Sequence, residues 1–242
     1  MTDISLLPGW AMAPETMQPL CEALLERLPS RHVQSYPLPL IQLSSMEPDL
    51  AAMAELLRPG VLVGWSLGGM LAVQLHRRFP ERFPAVVTIA SNACFAARPD
   101  WTTAMPSSTF KQFYADMRSE PEKTLKRFAL LVTQGSEQRR SLGKRLAWDQ
   151  ADYEQRLNGL ALLAVLDNRV PLSRSTAPML HCLGGNDALV PIDAAVALER
   201  LAETAVAQTR VVVHPDASHA IVLEQPLWLA EQIAGFLESA DV

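Results

Sequence analysis

The feature that most constrains the fold is the run Val61-Leu62-Val63-Gly64-Trp65-Ser66-Leu67-Gly68-Gly69-Met70. Val61 to Val63 read as a short buried strand, and helix-compatible residues follow from Leu67 to about Arg78. Between them sits Gly64-Trp65-Ser66-Leu67-Gly68. A serine on so sharp a turn takes a strained backbone, tolerated only when the residues two positions away are small. Gly64 and Gly68 meet that need. The turn would lift the Ser66 hydroxyl to the rim of a sheet. It would also put the Leu67 N–H at a helix N-terminus, where it can stabilise a developing oxyanion. The competing reading is a plain glycine-rich turn between strand and helix.

Strand and helix alternate on either side of this turn. Ile4 to Leu7, Val33 to Tyr36 and Ala85 to Ala90 read as strands, as do Pro178 to Leu183 and Arg210 to Val213. Met17, Leu20, Leu24 and Leu28 share one helical face, and Pro48 opens a second helix that Pro59-Gly60 stops. Ile192 to Leu201 and Pro226 to Leu237 are further helices. From about Ser91 to Pro171 the alternation breaks. Phe110 to Met117, Pro121 to Thr133, Gln138 to Trp148 and Tyr153 to Val165 each read as helices there. This pattern predicts a parallel sheet of about six strands with a helical cap at 96–171, the core being 1–95 and 172–242.

At 242 residues the chain is long enough for one α/β core with such an insertion. No apolar run approaches the roughly 20 residues of a membrane helix. Met1-Thr2-Asp3-Ile4 lacks the basic region of a secretion signal. Cys21, Cys94 and Cys182 form neither a disulfide framework nor a metal pattern, so a cytoplasmic location and no metal are expected. A net charge of −5 argues against general nucleic-acid binding. The charge is uneven, however. Arg118 to Arg145 holds 8 Lys and Arg against 3 Asp and Glu, inside an otherwise acidic chain. A basic cap can steer an acidic partner, or it can be simply a solvated helical surface.

A serine hydroxyl needs a base to take its proton, and the base needs an orienting acid. Of five histidines, His32 precedes a strand, His76 lies on the helix after Ser66, and His181 lies inside a strand. His219 follows the last strand, in Pro215-Asp216-Ala217-Ser218-His219-Ala220, where parallel sheets place their chemistry. It is the preferred base, with His214 as its rival. Asp187 follows a strand end at Gly184-Gly185-Asn186 and is the preferred acid, with Asp216 and Asp167 as rivals. The order Ser66, Asp187, His219 matches that of the α/β-hydrolases. A second oxyanion donor should come from the loop after the first strand, where the Trp10 N–H is available beside that of Leu67. The bland alternative is a tight Pro8-Gly9-Trp10 turn with a core indole.

Several stretches recur in the order of a known family. They are Gly9-Trp10, Gly64 to Gly69, Ser91 to Trp101, Lys126 to Leu131, Asp187 to Pro191, and Ala217 to Ala220. Together they resemble the pimeloyl-[acyl-carrier protein] methyl ester esterases of biotin synthesis, within the α/β-hydrolases. Ser91 to Trp101 is the most discriminating stretch. The resemblance implies Ser66 as nucleophile, His219 as base, Asp187 as its orienter, and Trp10 and Leu67 around the oxyanion. It implies an acyl path lined by Phe128, Ala129, Leu130, Leu131 and Val132. It further implies that Lys123, Arg127, Arg140 and Lys144 meet an acidic acyl carrier protein. Two departures stand out: Pro8 replaces the family's usual His, and Tyr36-Pro37-Leu38-Pro39-Leu40 replaces its Asp-x-Pro-Gly loop.

The expected activity is hydrolysis of a carrier-bound methyl ester through an acyl-enzyme, by a monomer needing no cofactor. The rivals are a small-ester or lactone hydrolase with the same triad, and a non-catalytic ligand-binding homologue.

Overall fold

The structure, a computed structural model, describes residues 2–242. Its sheet comprises β1 (Asp3–Leu7), β2 (Val33–Ser35), β3 (Gly60–Trp65), β4 (Ala85–Ile89), β5 (Met179–Gly184) and β6 (Thr209–His214). The six strands run parallel in the order β2-β1-β3-β4-β5-β6. Every residue of β3, β4 and β5 is buried, which explains their mostly apolar sequence: a parallel strand covered on both faces has no polar side, and the two polar residues, Thr88 and His181, bond each other.

The helices are α1 (Gln18–Arg27), α2 (Met46–Leu56), α3 (Leu67–Arg78), α4 (Ser107–Ser119), α5 (Pro121–Val132) and α6 (Arg139–Arg145). They continue with α7 (Tyr153–Val165), α8 (Arg169–Ser173), α9 (Ala194–Ala202), α10 (Ile221–Glu224) and α11 (Pro226–Ser239). Helix α1 packs on α11, while α3 lies against β3 and β4 and touches α2 and α8. The last turn of α3 carries Arg77 and Arg78, positive groups placed at the negative end of the helix dipole. No helix among the described residues is long and apolar enough to cross a membrane.

Helices α4 to α7 fill the interval between β4 and β5 and contribute no strand to the sheet. Helix α7 starts at a reciprocal cap: Asp152 accepts the Gln155 N–H at 2.9 Å, and the Asp152 N–H reaches the Gln155 side chain at 3.0 Å. Helix α8, which carried no clear sequence signal, packs on α3 and α9. Buried Asn168 just before it donates to the Met70 carbonyl of α3 at 3.0 Å, tying the end of the insert to the core.

One helix is shorter than its apolar pattern suggested. The segment expected to be helical to Trp148 leaves the helix after Arg145, because Leu146 turns extended. Trp148 then forms an antiparallel bridge with Met12, the Ala13 N–H reaches the Ala147 carbonyl at 2.9 Å, and the Asp149 N–H reaches Ala11 at 3.1 Å. The apolar residues at 146–148 serve this strap rather than a helical face.

Candidate active site

Ser66 sits between β3 and α3 with φ 55° and ψ −117°, a conformation that a residue with a Cβ rarely adopts. Glycines make the turn sterically feasible. A Cβ on Gly64 would lie 2.3 Å from the Gly68 carbonyl carbon, and one on Gly68 would lie 2.4 Å from the Leu7 oxygen. The turn is held by the Ser66 N–H to the Ile89 carbonyl at 2.8 Å and by the Ser91 hydroxyl to the Ser66 carbonyl at 2.9 Å. Leu67 is the first residue of α3, so its N–H has no carbonyl one turn earlier to bond.

Asp187 and His219 lie beyond the carboxyl ends of β5 and β6, which are neighbours in the sheet. His219 Nδ1 is 2.7 Å from Asp187 Oδ2, and both side chains are 1% exposed. The other Asp187 oxygen accepts the N–H groups of Leu189 at 2.7 Å and Val190 at 2.9 Å. A carboxylate so placed can only accept, so it selects the tautomer with hydrogen on Nδ1. His219 Nε2 is buried and bonded to no protein group, which leaves its lone pair available for a proton.

The rival residues are placed elsewhere: Asp216 is exposed, and the others are bonded away from Ser66. His214 stacks edge-on against Trp228, and its Nδ1 accepts the Asp216 N–H at 3.3 Å. Asp167 pairs with Arg169 at 2.7 Å, and that guanidinium holds its carboxyl down at about 2. His181 is bonded to Thr88 Oγ1 at 2.6 Å, and burial lowers its pKa to about 4. His76 bonds the Phe83 carbonyl at 2.9 Å, and burial lowers its pKa too. All three cysteines are buried and free, and burial pushes the Cys94 thiol up to about 12. Among the described residues no group of three or more His, Cys, Asp and Glu side chains could hold a metal ion.

The loop after β1 rests on the serine turn: a Cβ on Gly9 would lie 3.4 Å from Ser66 Cβ. Trp10 lies in this loop beside Ser66, and its indole is a core group as well. Its ring packs edge-on against Phe128 at 4.8 Å and Phe113 at 5.9 Å, and its Nε1–H donates to the Arg156 carbonyl at 2.8 Å. The loop after β1 is thereby fastened to the helical insert.

An apolar cavity of about 40 Å³ lies on the cap side of Trp10, with Phe95, Phe110, Phe113 and Leu163 in its wall. Of the five cap residues expected at an acyl path, Phe128 and Leu131 line it. Ala129, Leu130 and Val132 do not, and Leu130 is 52% exposed on the outer side of α5. Five consecutive helical residues span more than a full turn, so they cannot all face one cavity. Val132 is buried, and its carbonyl instead accepts the Ala220 N–H at 3.0 Å, next to His219.

The four cations expected to meet a carrier protein divide into two pairs. Lys123 bonds Glu120 at 2.6 Å, while Arg127 pairs with Asp116 and lies over the Phe113 ring. Arg140 and Lys144, both on α6, are exposed and form no ion pair among the described residues.

Sequence reasoning missed three supports of the site: Trp65, whose Nε1–H donates to the His219 carbonyl at 2.9 Å; Glu224, which accepts both the N–H and the hydroxyl of Ser218 at 2.8 Å; and the strap at 147–149. A hydrogen-bonding residue at either end of the His219 loop was the available signal for Glu224. The serine motif leaves its second position open, so nothing marked Trp65.

Comparison with known proteins identifies the family. The model of the alpha/beta hydrolase family matches residues 6–232. The chain is 36% identical over 240 residues to the biotin biosynthesis bifunctional protein BioHC of Cellvibrio japonicus, covering 97% of this chain and 47% of that one. The chain thus spans about half the length of the bifunctional relatives it matches. It is 33% identical over 240 residues to the pimeloyl-[acyl-carrier protein] methyl ester esterase of Aromatoleum aromaticum, covering 93% of each. A bromoperoxidase from Bacillus anthracis has the same fold, with a TM-score of 0.83 at 18% identity over 98% of this chain and 92% of that one. The chain belongs to the alpha/beta hydrolase family and, within it, to the pimeloyl-[acyl-carrier protein] methyl ester esterases.

Proposed function

We propose that this protein is a serine carboxylesterase that hydrolyses the methyl ester of a pimeloyl chain carried on acyl carrier protein. The observation that carries the chemistry is the buried Asp187–His219 pair beside a strained Ser66 turn. In this reading His219 Nε2 takes the Ser66 hydroxyl proton as Oγ attacks the ester carbonyl carbon. The N–H groups of Trp10 and Leu67 bind the oxyanion; one such donor is typically worth about 2.7–4 kcal/mol. The tetrahedral intermediate collapses, and methanol leaves with the proton from His219. A water then gives its proton to His219, attacks the acyl-enzyme and releases the carboxylate and Ser66.

The relatives' names support the substrate. So do an apolar cavity lined by Phe128 and Leu131, which suits a methylene chain, and the basic surface of α6, which suits an acidic carrier. Mass spectrometry of a carrier-bound methyl-pimeloyl substrate tests the reading. Wild-type protein should remove 14 mass units, as CH2, and Ser66→Ala should leave the substrate intact. A folded wild-type protein that leaves it unchanged overturns the proposal.

A second reading, a small-molecule carboxylesterase, draws on the internal pairing of Lys123 and Arg127. Equal kcat/KM for carrier-bound and free short methyl esters would favour it.

A further inference from the structure

We propose that Trp65 is a positioning residue for His219, joining the base to the nucleophile's turn through its indole N–H. The inference rests on the serine-hydrolase chemistry above but not on the carrier substrate. Trp65 is 1% exposed and precedes Ser66, yet its Nε1–H spans the site to the carbonyl oxygen of His219 at 2.9 Å. Its ring also lies against the His219 imidazole, with centroids 5.6 Å apart and planes tilted by 41°. The same ring underlies the loop after β1, where a Cβ on Gly9 would come within 3.2 Å of it. One side chain therefore touches all three parts of the site: nucleophile turn, base and oxyanion loop.

The turn itself needs nothing of the sort at this position. Small residues are required at Gly64 and Gly68, and the intervening Trp65 is sterically unconstrained by the elbow. The neighbouring peptides of the base have their own anchors. The Ser218 N–H and hydroxyl go to Glu224, and the Ala220 N–H goes to Val132. Only the Trp65 donor holds the carbonyl of His219 itself among the described hydrogen bonds. The imidazole is otherwise aimed by a single bond, from Nδ1 to Asp187, because Nε2 engages no protein group. Without the indole donor a buried carbonyl lacks its partner, and the loop can shift. A misplacement of about 1 Å can cost up to about 10²-fold in rate.

The test replaces Trp65 with benzothienylalanine, which keeps the bicyclic shape and exchanges N–H for sulfur, and with 7-azatryptophan, which keeps the N–H. Kinetics on a free p-nitrophenyl ester and the rate of Ser66 labelling by a phosphonate are read alongside Tm. The benzothienyl variant should lose about tenfold in kcat at unchanged KM and slow labelling by the same factor, while the aza variant stays near wild type. Wild-type kcat and labelling in the benzothienyl variant, or a loss confined to Tm, would overturn the proposal. Neither probe needs a carrier, so failure on the carrier substrate leaves this test standing. Wild-type protein that neither labels nor cleaves the free ester removes the serine-hydrolase reading and this inference with it.

Discussion

Asp187 and His219 come from adjacent strand ends, and their 2.7 Å contact is set by sheet register: Gly184 of β5 pairs with His214 of β6. Asp187→Asn should preserve the shape of the site but offer a donor where a carboxylate accepted, turning the imidazole to the wrong tautomer. A fall of about 10⁴-fold in kcat is expected with little change in KM. Steady-state kinetics beside Ser66→Ala, with circular dichroism to verify folding, will check this.

Two glycine substitutions should act in opposite directions. A Cβ at Gly64 would sit 2.3 Å from the Gly68 backbone, so Gly64→Ala should cost at least the roughly 1–3 kcal/mol of ordinary overpacking. Gly143 is exposed within α6 and would place a Cβ in open space, so Gly143→Ala should stabilise by up to about 1 kcal/mol. Urea denaturation of both variants measures the contrast.

The division among the cap cations predicts unequal contributions to carrier recognition. Reversing Arg140 and Lys144 together should lower kcat/KM on a carrier-bound ester by about tenfold or more at low salt. Reversing Lys123 should do less, because its charge is already matched by Glu120. Hydrolysis of a free short ester should be unchanged by all three. Kinetics at two ionic strengths will separate these effects.

His181 should make the fold acid-sensitive. Burial lowers its pKa to about 4, against about 6.5 for an unfolded chain. Above pH 6.5 the ring is neutral in both states and its contribution to stability is complete. As pH falls from 6.5 towards 4 the unfolded chain takes up the proton first, and stability declines by up to about 3 kcal/mol. His181→Gln should flatten that part of the stability curve, as denaturant titrations between pH 4 and 7 would reveal.

The sheet, the serine turn and the Asp187–His219 pair were legible because each rests on local pattern. Mostly apolar runs marked β3, β4 and β5, and Gly64 and Gly68 marked a turn that other residues cannot make. The strap at 146–149 was not legible, because its apolar residues fit a helix equally well and only pairing with Ala11–Ala13 decides the matter. The acyl path was only partly legible. A family motif names a continuous stretch such as Phe128 to Val132, whereas a helix presents every third or fourth residue to one side. The bond from Trp65 to His219 joins positions 154 residues apart and leaves no periodic trace.

The stretch from Val132 to Asp149 touches three of the loops around the site, those of His219, Asp187 and Trp10. Val132 bonds the peptide after His219, Arg145 bonds the Leu223 carbonyl in α10, Gly135 accepts from Asn186 next to Asp187, and Ala147 and Asp149 grip the loop of Trp10. In the proposed reading, an acyl chain enters by movement of α4, α7 or the start of α5, with this stretch staying in place. A chimera that exchanges the whole insert for that of another hydrolase would lose catalysis along with specificity. One that exchanges only the helices outside 132–149 would keep a working triad and acquire a new acyl preference.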